Sequence, residues 1–319
     1  MPATADRTTT PLSEWPTWCL IAAIHGGWLL TAASAERLGP LAAHALLIVL
    51  TTWYMSLQHE LLHGHPTRST RLNRCFGLAP WAVWVPYDLY RESHLEHHRD
   101  ERLTDPLHDP ESNYLHAADY RRLPAWARAA RWSQRTLLGR LLAGPLFVIV
   151  PLWAGLLRPL RGDLRHARSW AQHLVLLGLM LWALDRWAGI GPLRYLLGVA
   201  WPALSLAMLR SFHEHRPAAL PAHRTAINEA GAFWRLLYLN NNYHAVHHAQ
   251  PALPWYRLRR AWHADCPGHL ARNGGFLVPG YGRLLWRHLL RPIDSPVLGE
   301  PLPPPAHGVP STLTPRSPT

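Results

Sequence analysis

The apolar positions of this chain gather into runs instead of alternating with polar ones. Residues 15–35 are apolar apart from His25. A polar turn, Ala35-Glu36-Arg37-Leu38-Gly39-Pro40, leads into a second run over residues 41–57. Each run approaches the ~20 residues that a helix needs to span a bilayer, so the two predict a hairpin whose outer ends lie on one side. Residues 171–184 and 193–209, separated by Asp185-Arg186 and Gly189-Ile190-Gly191-Pro192, predict a second hairpin. The expected fold class is an all-α integral membrane protein with about four transmembrane helices in two hairpins. Residues 217–298 are mixed and aromatic and read as a cytoplasmic lobe.

Three regions fall outside that scheme. Residues 1–14 are polar, lack the basic and apolar regions of a signal peptide, and read as a disordered leader. Residues 299–319 are rich in Pro, Ser and Thr and read as a disordered tail. Between them, 15–298 is expected to be one membrane domain. Residues 99–135 are polar and Arg-rich, which the positive-inside rule reads as a cytoplasmic loop.

Composition sharpens the membrane reading. The net charge is +12, carried mainly by Arg, and Arg121, Arg122, Arg128, Arg131, Arg135, Arg140, Arg158, Arg161, Arg165 and Arg168 flank apolar runs. That placement suits a cytoplasmic surface against anionic lipid and argues against nucleic acid, which would want a basic face interleaved with exposed aromatics. The 17 Trp suit wide membrane interfaces. The three Cys are far apart with no CxxC, so they predict neither a disulfide framework nor a thiolate metal site.

The chemistry lies in the histidines. His94-Leu95-Glu96-His97-His98, read as helix, brings three imidazoles to one face, where they can converge on one point. The spacing returns at His244-Ala245-Val246-His247-His248, and His59 and His63 stand four apart at the end of an apolar run. Eight such histidines exceed one tetrahedral zinc and suit two metals. With no Cys among them and no carboxylate required, redox-active iron is preferred over zinc. His25, His44 and His173, inside apolar segments, read as helix-packing residues. His108, His116, His223, His263, His269, His288 and His307 read as solvated.

Sharing one site also constrains topology. If residues 80–90 (PWAVWVPYDLY) crossed the bilayer, His59 and His63 would face away from His94, so this short stretch is expected in the interface. The same parity makes residues 141–157, which carry Gly144, Pro145 and Pro151, re-entrant or interfacial.

His59-Glu60-Leu61-Leu62-His63 is also H-E-x-x-H, the zinc metalloprotease pattern with Glu60 as general base. That alternative leaves two matched histidine triplets without a role. A metal-binding or transport protein without redox chemistry is a third reading; clusters at one depth instead of along a path count against transport.

The order HxxxH, HxxHH, HxxHH resembles the integral-membrane fatty acid desaturase superfamily, with its related hydroxylases and ketolases. The likeness covers roughly residues 58–255. It includes Gln58-His59-Glu60-Leu61-Leu62-His63-Gly64, Leu103-Thr104-Asp105-Pro106, Asp109-Pro110-Glu111-Ser112 and Asn240-Asn241-Asn242-Tyr243-His244. The resemblance implies a non-haem di-iron centre facing the cytosol, held by His59, His63, His94, His97, His98, His244, His247 and His248. One further ligand is implied between the second hairpin and the last box, with His215 preferred and His213 in reserve. His65 is expected to support the site or to be solvated. Ligating imidazoles donate their second N–H to a carboxylate or carbonyl, and Glu60, Glu96, Asp100, Asp105 and Glu214 are adjacent acids. Asn240, Asn241 and Asn242 could orient ligands or water.

The function implied is an O2-dependent oxidoreductase acting on C–H bonds of a lipid acyl chain. Box spacing favours a fatty acid desaturase, with a carotenoid or sterol hydroxylase or ketolase as the alternative. No flavin fingerprint, cluster motif or haem domain is present in the sequence, so electrons are expected from a separate ferredoxin or similar small redox carrier, an acidic one being suited to the Arg-rich loops.

Overall fold

Proline and glycine set the ends of the apolar runs. Helix α1, Trp15–Ala33, has a proline in its first turn, and α2, Pro40–Leu62, starts on Pro40 after Gly39 has turned the chain at φ +75°. Along α2 the buried positions Ala43, Leu47, Thr51, Tyr54, Gln58 and Leu61 form one stripe, while Leu41, Leu46 and Val49 are exposed on other faces. An exposed leucine surface is costly in water and natural in lipid.

The computed structural model describes residues 14–302, so the remainder of the expected leader and tail lies outside the described residues. Within them the chain is mostly helical. After α2 come α3, Thr70–Gly77, capped by the Ser69 hydroxyl, and α4, Tyr87–His97. The Arg-rich stretch forms α5, Ala125–Gln134. Helix α6, Leu137–Ala154, is capped by Thr136 and runs into a 3-10 segment, Gly155–Arg161. Helices α7, Ala167–Ala188, and α8, Pro192–Ser211, form the last hairpin. A π-turn at Leu196–Ala200 lies just before Pro202, which cannot donate to the helix ladder.

Beyond α8 the lobe holds α9, His244–Ala249, α10, Trp255–Ala264, α11, Cys266–Arg272, and α12, Tyr281–His288. A two-stranded parallel sheet joins β1, Ile227–Asn228, to β2, Leu277–Val278, in the register Ile227 to Leu277. One core lies inside the bundle around Ile24, Leu47, Tyr54 and Tyr195, and two smaller ones lie in the lobe, around Phe212, Tyr238 and Tyr281 and around Val246 and Trp262.

Among the described residues, three helices are long and apolar enough to cross a membrane by length and composition: Pro40–Leu62, Leu137–Leu160 and Pro192–Ser211. Helices α1 and α7 also form where spans were expected; α1 is interrupted by His25, and α7 carries Gln172, His173, Asp185 and Arg186.

The structure corrects two expectations. Residues 80–84, expected at the bilayer interface, are packed inside the helix bundle. Trp81 stacks on Trp28 at 4.6 Å, and Tyr195, Tyr54 and His173 hydrogen-bond the carbonyls of Trp81, Ala79 and Val83. Buried backbone outside a helix needs such partners. Residues 141–157 form continuous helix in spite of their prolines. Pro145 leaves the Leu141 carbonyl without its helical donor, and the Ser205 hydroxyl of α8 donates to that oxygen at 2.6 Å. Both ends of α6 nevertheless meet segments tied to the histidine helices. Arg140 reaches Ser211 at the end of α8, and Trp153 packs on Trp170 in the first turn of α7, which is tied to α4 through His166–Glu92 and Ser169–Asp88.

Candidate metal centre

Four elements end at one place. Helix α2 delivers His59 in its last turn and His63 just beyond, α4 carries His94 and His97 with His98 at its C-cap, α8 leads into His215, and α9 carries His244, His247 and His248. These nine histidines fall into two groups: His59, His63, His94, His98 and His247 in one, and His97, His215, His244 and His248 in the other. Within each group the candidate ligand atoms lie within 4.8 Å of one another.

The triplets therefore do not converge on one point, as their shared face had suggested. Each HxxHH helix gives its i and i+4 rings to one group and its i+3 ring to the other. Helix α4 gives His94 and His98 to the first and His97 to the second. Helix α9 reverses this, giving His247 to the first and His244 and His248 to the second. The closest contacts are between ring nitrogens: His98 Nε2 is 3.0 Å from both His94 Nε2 and His247 Nε2, and His215 Nε2 is 3.1 Å from both His97 Nε2 and His244 Nε2.

Acids on the following loop orient these rings. Asp109 accepts from His97 Nδ1 at 2.8 Å, and Glu111 accepts from His94 Nδ1 at 2.9 Å. A ring that donates Nδ1–H to a carboxylate presents a bare Nε2, the arrangement of metal-bound histidines. Asp109 is itself fixed by the amides of Thr104 and Glu111, and Thr104 holds φ +67°, strained for a β-branched residue. Asn241 links the groups, with its carbonyl 3.1 Å from His244 Nδ1 and its amide nitrogen 3.4 Å from His59 Nε2. Glu214 lies 3.6 Å from His244 Nδ1 and pairs with Arg210.

Burial sets the protonation of these groups. Removal from water, reinforced by neighbouring imidazoles, holds His63, His98, His244, His247 and His248 below the usual histidine range, and His215 likewise through burial and His97. Burial also lowers His94, only partly offset by Glu111. His97 is the exception: burial opposes its charging, but Glu111 and Asp109 outweigh it and its pKa is raised. Burial lifts Glu214 to about 7 against the pull of Arg210. Neutral imidazoles are the form that binds metal. His63 Nε2 is buried with no hydrogen-bond partner among the described residues, so the set fits a cation.

Several expected supporters lie elsewhere. Glu60 accepts from the Trp255 amide, Glu96 pairs with Arg99 and Arg102, and Asp105 caps the turn at Leu107 and His108. Asn240, at φ +56°, donates to the Trp255 carbonyl, and Asn242 to that of Asn228. His213 belongs to neither group: it meets the Asn228 amide at 2.7 Å and packs on Tyr281. The Asp100 side chain and His307 lie outside the described residues. His269, expected in solvent, is buried against Trp262. His65 is buried as well, with Nδ1 2.8 Å from Glu14, so the last residue of the expected leader is part of the packed structure. Asp109 and Glu111 had no assigned role in the sequence, although the run Asp109-Pro110-Glu111-Ser112 stood out there.

A family model for fatty acid desaturases matches residues 37–274, well over half of the chain and inclusive of all nine clustered histidines. The chain belongs to the fatty acid desaturase family. Membership implies a membrane-associated, metal-binding oxidoreductase, consistent with the apolar helices and the histidine groups. Comparison with curated proteins finds no match. The desaturase match ends at residue 274, before β2, α12 and the segment after them.

Proposed function

We propose that the chain is an O2-dependent, non-haem di-iron oxidoreductase that acts on the C–H bonds of a lipid acyl chain, as a fatty acid desaturase. The observation that carries this reading is the pair of adjoining all-histidine groups within a matched desaturase domain. His59, His63, His94, His98 and His247 would hold one iron, and His97, His215, His244 and His248 the other. Bound iron supplies the activation of O2 and the removal of hydrogen from an unactivated carbon.

The chain's own residues do the rest. Asp109 and Glu111 fix the ring orientations of His97 and His94, and Asn241 spans the two groups. Hydrophobic packing of α2 and α8 excludes water below the histidines. A cavity of about 30 Å³ beside the second group, lined by Glu111, Tyr114, Arg210, Glu214 and His215 among others, has room for a water-sized molecule.

In the membrane, α1 and α2 would form one spanning hairpin and α7 and α8 the other, with the lobe and both histidine groups on the cytoplasmic side. The arginines around residues 121–168 support that side. An external electron donor, a ferredoxin or another small acidic carrier, completes the reaction. Hydroxylation or ketolation of a carotenoid or sterol would use the same ligands with a different substrate placement. A zinc protease has no support, because Glu60 is engaged by the Trp255 amide and lies outside both groups.

Metal analysis of the purified chain tests the class. About two irons per chain is the expected result, and one zinc with no iron would sink the reading. Lipid profiling of cells with and without the gene then identifies the substrate and separates a new double bond from a new hydroxyl or keto group.

A further inference from the structure

The segment that follows α12 lies outside the desaturase match, yet it is stitched to the loop that carries Asp109 and Glu111. The Leu138 amide donates to Leu289 O, the Ile293 amide to Arg135 O, the Leu115 amide to Pro296 O, and the Leu298 amide to Leu115 O, each between 2.8 and 3.0 Å. At the centre of this strap Asp294 accepts from Tyr114 Oη and from Arg135 Nε, both at 2.5 Å. The Arg135 guanidinium also lies 4.8 Å from the Tyr114 ring centroid and donates to its hydroxyl. Arg135 is 4 % exposed and Tyr114 5 %, so this ion pair is shielded from solvent and salt on the arginine side.

Tyr114 stands three residues after Glu111. The intervening residues are held from other directions: the Ser112 hydroxyl donates to Thr104 O, and Asn113 Oδ1 accepts from Gln134 and from Arg140, which also reaches Ser211. The loop between Thr104 and Leu115 is thus fixed by α5, α6, the end of α8 and the strap. It supplies the only carboxylates, among the described residues, that accept from His97 and His94 at under 3 Å.

We propose that Asp294 is a positioning residue for the histidine groups: by binding Tyr114 and Arg135 it fixes the loop whose Asp109 and Glu111 orient His97 and His94. The coupling itself is a property of the protein fold, and its effect on metal rests on the di-iron reading above.

The test uses Asp294→Ala and Asp294→Glu in the full-length chain, with Tyr114→Phe as a second variant that keeps the ring and removes only the hydroxyl. Hydrogen–deuterium exchange reports the coupling without metal. The expected result is at least tenfold faster exchange of the Thr104 and Glu111 amides in Asp294→Ala, with partial recovery in Asp294→Glu. Titration with Co(II), followed by its visible absorption, reports the site. Asp294→Ala is expected to bind about tenfold or more weakly, the loss typical of a missing ligand-orienting partner. Should Asp294→Ala not fold, Tyr114→Phe is expected to show the same two changes in weaker form. Wild-type exchange and wild-type Co(II) affinity in the folded variants would overturn the proposal. A wild-type chain that takes up no Co(II), while the exchange difference persists, would instead overturn the metal reading and leave the strap coupled to the loop.

Discussion

At the scale of single residues, the clustered histidines and the groups that support them separate cleanly. His97 and His247 each occupy the cross-over position, the i+3 ring that joins its helix to the opposite group. Replacing either with Ala should abolish turnover and lower metal affinity by more than the roughly 10–100-fold that loss of an orienting partner costs; iron content and lipid product measure both. His65 offers the contrast. It is buried against Glu14 and lies outside both groups, so His65→Ala should keep its iron while losing about 3 kcal/mol of stability, because buried Glu14 loses its ion-pair partner and keeps only the long contact with the Thr17 hydroxyl. Thermal melting in detergent beside iron analysis distinguishes the two outcomes. The clustered histidines of the three boxes were legible because coordination demands one residue type at helical spacing, whereas His215 came only from the family resemblance. Asp109 and Glu111 were not, since nothing in the periodicity of a loop says which ring its carboxylates will meet. Asn241 was visible only as one of three neighbouring asparagines, and contact alone separates it from Asn240.

At the scale of elements, the turn between α3 and α4 sets where the second box begins. Gly77 ends α3, and a Cβ there would lie 2.3 Å from the Tyr87 ring, which opens α4. Gly77→Ala must push that ring, and the histidine helix behind it, out of place. Overpacking of this kind costs about 1–3 kcal/mol, so the variant should purify in lower yield and carry less metal. Equal melting temperature and metal content to wild type would contradict the packing account. The same turn shows why residues 80–90 were misplaced from sequence. Their length forbids a crossing, but only the partners Trp28, Tyr54, His173 and Tyr195, drawn from four other helices, make insertion possible. Continuity of α6 was hidden in the same way, because the hydroxyl that answers Pro145 belongs to Ser205, sixty residues away in the chain.

For the whole molecule, apolar run length gave the helices and their order, while the polar lobe was legible only as a covering region of mixed composition. Its contribution is to bring α9 and the segment after α12 to the same end of the bundle as α2 and α4. A metal held by four such distant segments binds the folded state alone, so ligand mass action stabilises the fold, by about 2.7 kcal/mol when free metal is a hundredfold above Kd. Chelation should therefore lower the melting temperature reversibly, and restored iron should raise it again. No response to a strong chelator would argue that the histidines pack without metal.

On the di-iron reading, the exchange of rings between α4 and α9 bears on how a cell fills this protein. Neither helix can turn to suit one ion without also setting rings for the other, so the first ion to arrive prepares the place of the second. Under scarce iron the chains should divide into empty and full, with few carrying a single ion, a distribution that native mass spectrometry resolves directly.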